Sequence, residues 1–164
     1  ALPLREKYEN LLIIQTFSKS RSMAGARLGF AMGGEDLIRD LKTIQYSTNP
    51  YNVNRMTSAA GIAAIEAQAY YDDCCAKIRQ NRAWTKDRLE ELGFAVLPSS
   101  TNFLFARSDR IGGEELYLAM KEKGILIRHF TADRIKDYNR ITIGTAEQME
   151  TFIAGVRECL EEKA

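Results

Sequence analysis

The chain of 164 residues is 45% hydrophobic and 27% charged, the balance of an ordinary globular protein with enough apolar material for a sizeable core. Its 23 basic and 22 acidic side chains nearly cancel, so no basic field argues for nucleic acid or an anionic membrane. No apolar stretch approaches the roughly 20 residues of a membrane span, and Ala1–Asn10 lacks the apolar centre of a secretory leader. A reducing, cytoplasmic compartment is expected. Cys74, Cys75 and Cys159 are odd in number and two are adjacent, a poor basis for a disulfide framework; they read as small apolar residues. With His129 the only histidine, a metal centre has little to build on.

The first strong element runs from Asn10 to Phe17, and its continuous apolar centre reads as a strand buried on both faces, of the parallel-sheet kind. After the polar turn Ser18-Lys19-Ser20-Arg21-Ser22 a second short strand is expected at Arg27–Met32. A helix follows from Glu35 to about Gln45, opened by two acids. Asn49-Pro50-Tyr51-Asn52 is a loop. The stretch from Val53 to about Leu92 has helical texture throughout, but roughly 40 residues is long for a globular helix, so a break is expected near Ala69–Asp73. Past Gly93 the texture turns to strands at Phe94–Leu97 and Asn102–Ala106, a helix at Gly112–Lys123, and short strands at Ile125–Arg128 and Arg140–Ile143. A last amphipathic helix spans Ala146–Glu161.

The chemistry concentrates in Thr16-Phe17-Ser18-Lys19 and the eleven residues after it, up to Phe30. A lysine just past a buried strand sits where open α/β sheets hold ligands. The hydroxyls of Thr16, Ser18, Ser20 and Ser22, with Arg21 and Arg27, suit a phosphate, and Gly25 and Gly29 let the backbone turn and approach closely. An aldehyde cofactor bearing a phosphate needs both parts, an amine and an anion anchor. A surface turn with a solvated lysine is the bland reading of one lysine, and it explains the whole pattern poorly.

That pattern resembles the lysine signature of fold-type I pyridoxal-phosphate aminotransferases, in which Ser/Thr-x-x-Lys is followed eight residues later by Arg, here Thr16, Lys19 and Arg27. The resemblance implies an α/β fold: the end of a large cofactor-binding α/β/α domain over residues 1–75, a long connecting helix over 76–93 and a small α+β domain over 94–164. It implies that Lys19 holds pyridoxal 5′-phosphate through an imine and then serves as general base. Thr16, Ser18 and Arg27 would bind its phosphate. Arg21 has no clear counterpart and is open to a reading as a solvated charge.

Further segments are similar to histidinol-phosphate aminotransferases: Asn49-Pro50-Tyr51-Asn52-Val53, Ser99-Ser100-Thr101-Asn102-Phe103, and Arg140-Ile141-Thr142-Ile143-Gly144-Thr145. Tyr138-Asn139 before that arginine departs mildly from the family pattern. By this resemblance Arg140 pairs with the substrate carboxylate, or else bridges to Glu147 or Asp137. Arg128 is a second cation for a substrate phosphate, or an ordinary strand edge. Asn102 reaches the site or merely ends the strand pairing, and Tyr51 lines the site, the subunit interface or only its loop. His129 reads as a partly exposed structural histidine.

The implied activity is transamination of histidinol phosphate with 2-oxoglutarate, a small-molecule reaction of histidine biosynthesis, with no nucleic-acid or membrane partner and with a homodimer as the full-length form. Chains of this family are longer by more than this chain's own length. The chain is therefore expected to be a carboxy-terminal fragment, inactive alone, since the residues that contact the pyridine ring are not assignable in it. Within the same chemistry an aromatic or broad-specificity aminotransferase and a threonine-phosphate decarboxylase are the rivals. An acyl-enzyme hydrolase would need a serine where Thr16 stands and a Lys-Thr-Gly element, and neither is present. A non-enzymatic phosphate-binding or dimerisation module is the remaining alternative.

Overall fold

In the computed structural model the chain is described from Ala1 to Lys163 and divides into two units, Ala1–Asp72 and a second beginning at Asp73. The first unit holds a short helix α1 (Leu2–Arg5), two strands β1 (Ile13–Thr16) and β2 (Gly29–Met32), and two helices α2 (Glu35–Thr48) and α3 (Arg55–Glu66). The strands form an antiparallel ribbon in the register Ile13↔Met32 to Thr16↔Gly29. The expectation of a doubly buried, parallel strand is thereby corrected: β1 has one partner, antiparallel, and Ile14 is 71% exposed. A continuous apolar run is compatible with several burial states, and among the described residues β1 pairs with β2.

The expected strand at Arg27–Met32 starts only at Gly29, because Arg27 adopts a left-handed backbone (φ 54°) that no strand can include. The long helical stretch does break, but at Ala67, two residues before the expected region. Ala67 caps α3 with ψ near 31°, and α4 (Gln68–Glu91) starts at the next residue. At the other end of α3 the Asn54 side chain accepts the Thr57 N–H at 2.9 Å, an N-cap that satisfies one orphan donor of the first turn.

From Asp73 the chain continues α4 and adds β3 (Phe94–Val96), β4 (Phe103–Ser108), α5 (Gly113–Glu122), β5 (Arg128–His129), β6 (Asn139–Thr142) and α6 (Ala146–Glu161). The four strands form an antiparallel sheet in the order β3-β4-β6-β5. β4 alternates strictly: Leu104, Ala106 and Ser108 are buried while Phe103, Phe105 and Arg107 are half-buried on the opposite face. The buried face of β4 and β6 meets Leu89 of α4, Leu116 and Met120 of α5, and Phe152, Val156 and Leu160 of α6 in one apolar core. α6 opens on a full capping box, with the Thr145 hydroxyl accepting from Gln148 N–H and the Gln148 side chain accepting from Thr145 N–H. Cys159 lies in that core, where burial pushes its thiol pKa up and keeps it from being a ready nucleophile.

The expected strand at Ile125–Arg128 is reduced to Arg128–His129. Upstream of it the chain leaves the sheet, as the Ile125 N–H donates to Met120 O at 2.8 Å and closes the end of α5. Among the described residues no helix is long and apolar enough to cross a membrane. Leu89 is fully buried at the centre of the core, so Leu89→Ala should destabilise this unit by about 2–5 kcal/mol, read as a lower urea midpoint with an unchanged slope.

Candidate functional site

The hairpin brings residues far apart in sequence to one concavity. Phe17 N–H donates to Leu28 O at 3.0 Å, extending the β1–β2 ladder by one rung. That rung sets Thr16 and Ser18 on one side of the ribbon's end beside Arg27 on the other, and all three line one open concavity with Leu28, Gly29 and Phe30. Thr16 Oγ1 accepts the Ser18 N–H at 2.8 Å, which leaves the Thr16 hydroxyl proton available to an outside acceptor. The Arg27 guanidinium folds back to Ala24 O at 3.1 Å, and its other N–H groups can serve an anion.

The connection between the strands is ordered by its own backbone. Ser22 N–H donates to Lys19 O at 3.1 Å and Met23 N–H to Phe17 O at 3.1 Å, so Lys19 opens a turn whose base is closed at Phe17. The Phe17 side chain is buried and meets the Phe30 ring edge-on at 5.8 Å. Lys19 itself is exposed, and the concavity of Thr16, Ser18 and Arg27 does not include it. Ser22 and Arg27 are the two non-glycine residues with left-handed φ among those described. Such conformations cost about 1–3 kcal/mol each and persist where the surroundings hold them.

Two glycines shape this ribbon. A Cβ on Gly29 would meet Gln15 O at 2.9 Å, and one on Gly61 of α3 would run into the Leu28 side chain. Gly29 was legible as a point of close backbone approach. Gly61, buried inside an alanine-rich helix, gives no cue of its own in the sequence.

Tyr51 is 90% exposed. The loop that carries it is fastened on either side, with Gln45 Nε2 donating to Asn52 Oδ1 at 3.1 Å and Asn54 capping α3.

In the second unit Arg128 and Arg140 are direct cross-strand partners on β5 and β6. Directly opposed residues of an antiparallel pair share a face, here the one opposite the apolar core. The Arg140 guanidinium lies 4.4 Å from the Phe103 ring centroid and that of Arg128 5.5 Å from the Phe130 ring. Phe105, the β4 partner of Arg140, stacks on Tyr138 at 4.7 Å and meets Phe130 edge-on at 5.8 Å. A third arginine on this face, Arg107, pairs with Asp109. Neither Arg128 nor Arg140 has a carboxylate partner among the described residues, so a bridge from Arg140 to Glu147 or Asp137 is not formed. Arg140 Nε is buried with no hydrogen-bond partner, a costly state for a charged group unless an anion completes it.

Asn102 stands at the start of β4, where its carbonyl accepts the Ile143 N–H at 2.9 Å. The turns on either side are held by α4: Arg82 donates to Thr101 O at 2.6 Å and Asn81 to Gly144 O at 2.9 Å. His129 is half-buried and stacks on Tyr117 at 6.0 Å between centroids.

A family model described as aminotransferase class I and II matches residues 2–156. The chain belongs to the class I and II aminotransferase family. Over 157 residues it is 51% identical to a histidinol-phosphate aminotransferase of Brachyspira hyodysenteriae, covering 96% of this chain and 44% of that protein. Its fold matches the solved histidinol-phosphate aminotransferase of Sinorhizobium meliloti in complex with pyridoxal-5′-phosphate, with a TM-score of 0.79, 27% identity, and coverage of 95% of this chain and 42% of that one. It also matches the L-threonine-O-3-phosphate decarboxylase of Porphyromonas gingivalis, with a TM-score of 0.76, 26% identity, and coverage of 96% and 49%. The fold class is thus that of the fold-type I enzymes of this family. The chain spans less than half the length of the relatives it matches.

Within the family fold, the β1–β2 ribbon leaves no room at Gly29, because the atom facing it is a backbone oxygen that cannot swing aside. Gly29→Ala should therefore destabilise the ribbon by about 1–3 kcal/mol, with faster hydrogen exchange at Thr16 and Phe17 as the readout and the second unit unaffected.

Proposed function

We propose that the full-length protein is a cytoplasmic, homodimeric, pyridoxal-phosphate-dependent aminotransferase acting on histidinol phosphate with 2-oxoglutarate. The observation that carries the reading is the hairpin end, which gathers Thr16, Ser18 and Arg27 round one concavity a single residue before Lys19. Two hydroxyls and a guanidinium are the donors a phosphate dianion needs, so the residues present fit the cofactor's phosphate. The family match and the resolved cofactor in the Sinorhizobium relative support the same assignment.

When bound, pyridoxal phosphate supplies an electrophilic aldehyde carbon and a ring that withdraws electrons from the substrate Cα. Lys19 would be the residue whose Nζ holds that aldehyde, and the base that would move the proton at the substrate Cα. Thr16, Ser18 and Arg27 would hold its phosphate. In the second unit Arg140 meets the carboxylate of the amino acid or 2-oxo acid with its planar fork. Arg128 adds the charge that a phosphate-bearing substrate calls for, with Asn102 and Tyr51 contributing polar contacts.

The unneutralised pair Arg128–Arg140 favours a doubly charged anion over a single carboxylate. That favours histidinol phosphate over an aromatic amino acid. Threonine phosphate carries the same kind of anion, so the decarboxylase reading is separated by product: transfer of the amine to 2-oxoglutarate for the one, release of carbon dioxide for the other.

Borohydride reduction of the loaded full-length protein followed by peptide mapping should place the label on Lys19, and label on another lysine would reject the assignment. Lys19→Ala should lower turnover about 10³-fold or more while the cofactor still binds through its phosphate. Arg27→Gly relieves a left-handed arginine, so the fold should keep its stability while pyridoxal phosphate dissociates about ten- to a hundredfold more readily, as expected for a lost charge-assisted hydrogen bond. Arg140→Ala should raise the substrate KM far more than it weakens cofactor binding, measured by steady-state kinetics beside a cofactor titration.

A further inference from the structure

The lysine turn is fastened at its base by backbone bonds, and it is also fastened at its tip. Arg21, two residues beyond Lys19, is half-buried. Its Nη2 donates to Gln68 Oε1 at 2.5 Å, and its guanidinium carbon lies 4.9 Å from the Tyr71 ring centroid. Gln68 is itself braced, since its Nε2 donates to Asp72 Oδ1 at 2.7 Å. The guanidinium is thus held along one edge by an amide and over one face by an aromatic ring, two different interactions on one planar group.

The helix break at Ala67 makes this grip possible. Because α4 starts at Gln68, Gln68, Tyr71 and Asp72 stand at spacings of three and four residues, which places them on one face of the first turns. Arg21 is the third residue of the turn closed by Ser22 N–H to Lys19 O, so whatever fixes Arg21 fixes the peptide groups between it and Lys19. Ser22, with its left-handed φ of 54°, is the next residue. A strained residue keeps its conformation only when its neighbours hold it, and Arg21 is the neighbour with an anchor outside the turn.

We propose that Arg21 is a positioning residue for Lys19: gripped by Gln68 and Tyr71, it holds the turn in the conformation that presents the lysine amine. The inference rests on the assignment of Lys19 given above. It replaces the reading of Arg21 as a solvated charge. It also separates Arg21 from Arg27, whose guanidinium lies at the phosphate concavity, whereas Arg21 faces α4.

The test uses the full-length protein with two readouts. The first is hydrogen exchange of the amides of residues 18–23 in the cofactor-free form, which depends on the turn and not on catalysis. Arg21→Ala should speed exchange there about tenfold or more, with the thermal midpoint and the exchange of other segments unchanged. Gln68→Ala should produce a smaller change of the same kind, and the double variant Arg21→Ala/Gln68→Ala should exceed Arg21→Ala by little, because both remove one interaction. Arg21→Lys, which keeps a cation over Tyr71, should restore part of the protection.

The second readout is kinetic. A displaced amine slows the steps that need Lys19, so Arg21→Ala should lower kcat about ten- to a hundredfold with little change in substrate KM. Unchanged exchange at residues 18–23, or additive effects of Arg21→Ala and Gln68→Ala, would overturn the proposal. Equal loss of protection across the whole first unit would overturn it as well, since Arg21 would then be merely structural. If exchange behaves as expected but kcat does not move and borohydride labels another lysine, the turn is held as described and the assignment of Lys19 is what fails.

Discussion

On β4 the side chains of Leu104, Ala106 and Ser108 turn into the core while Phe103, Phe105 and Arg107 turn out, and much of the second unit's chemistry depends on that two-residue alternation. The inward set locks β4 against α4, α5 and α6. With the register so fixed, β6 must present Arg140 on the outward face opposite Phe105, and β5 must present Arg128 opposite Arg140. A slip of one residue would send both guanidiniums into the apolar core. The burial of one face is therefore what keeps the arginines on the other.

The first unit reaches its arrangement by another route. Here the two-strand ribbon and the backbone bonds of its connection set the geometry. The rung between Phe17 and Leu28 brings Thr16, Ser18 and Arg27 together, and the closures at Ser22 and Met23 shape the turn that carries Lys19. Two side chains with left-handed backbones flank this connection. Strain of that kind gathers where a chain must aim functional groups and not merely pack them.

The functional groups were legible because they are rare chemical combinations. Lysine, hydroxyls and arginine at fixed spacing suit an amine and a phosphate anchor, and they carry the resemblance to the family. The last helix was legible too, since the spacing of Met149, Phe152, Ile153, Val156 and Leu160 announces the buried face, while its capping box emerged only in the structure. The partners of β1 were not, because an apolar run such as Leu11–Ile14 reports a preference for burial and does not name its neighbour. The helix break was expected from the length of the stretch, but its place at Ala67 lay inside a run of helix formers, where propensity is nearly flat. The left-handed Arg27 had no sequence cue at all, since arginine has no affinity for that conformation. Arg21 looked like a solvated charge until the start of α4 was known.

The opposed arginines of β5 and β6 have a further consequence for the second unit. Like charges across a ladder repel, and a bound anion converts that repulsion into attraction on both sides. An anion bound there would link folding to binding, because a multivalent anion would add its binding free energy to the stability of the sheet. Salt would act on both terms through screening, weakly at the short separations of a cross-strand pair and more strongly on an anion approaching from solution. Rising ionic strength would steady the unliganded ladder and weaken the attraction that an anion there would feel, so conditions that favour the fold of this unit would disfavour such binding.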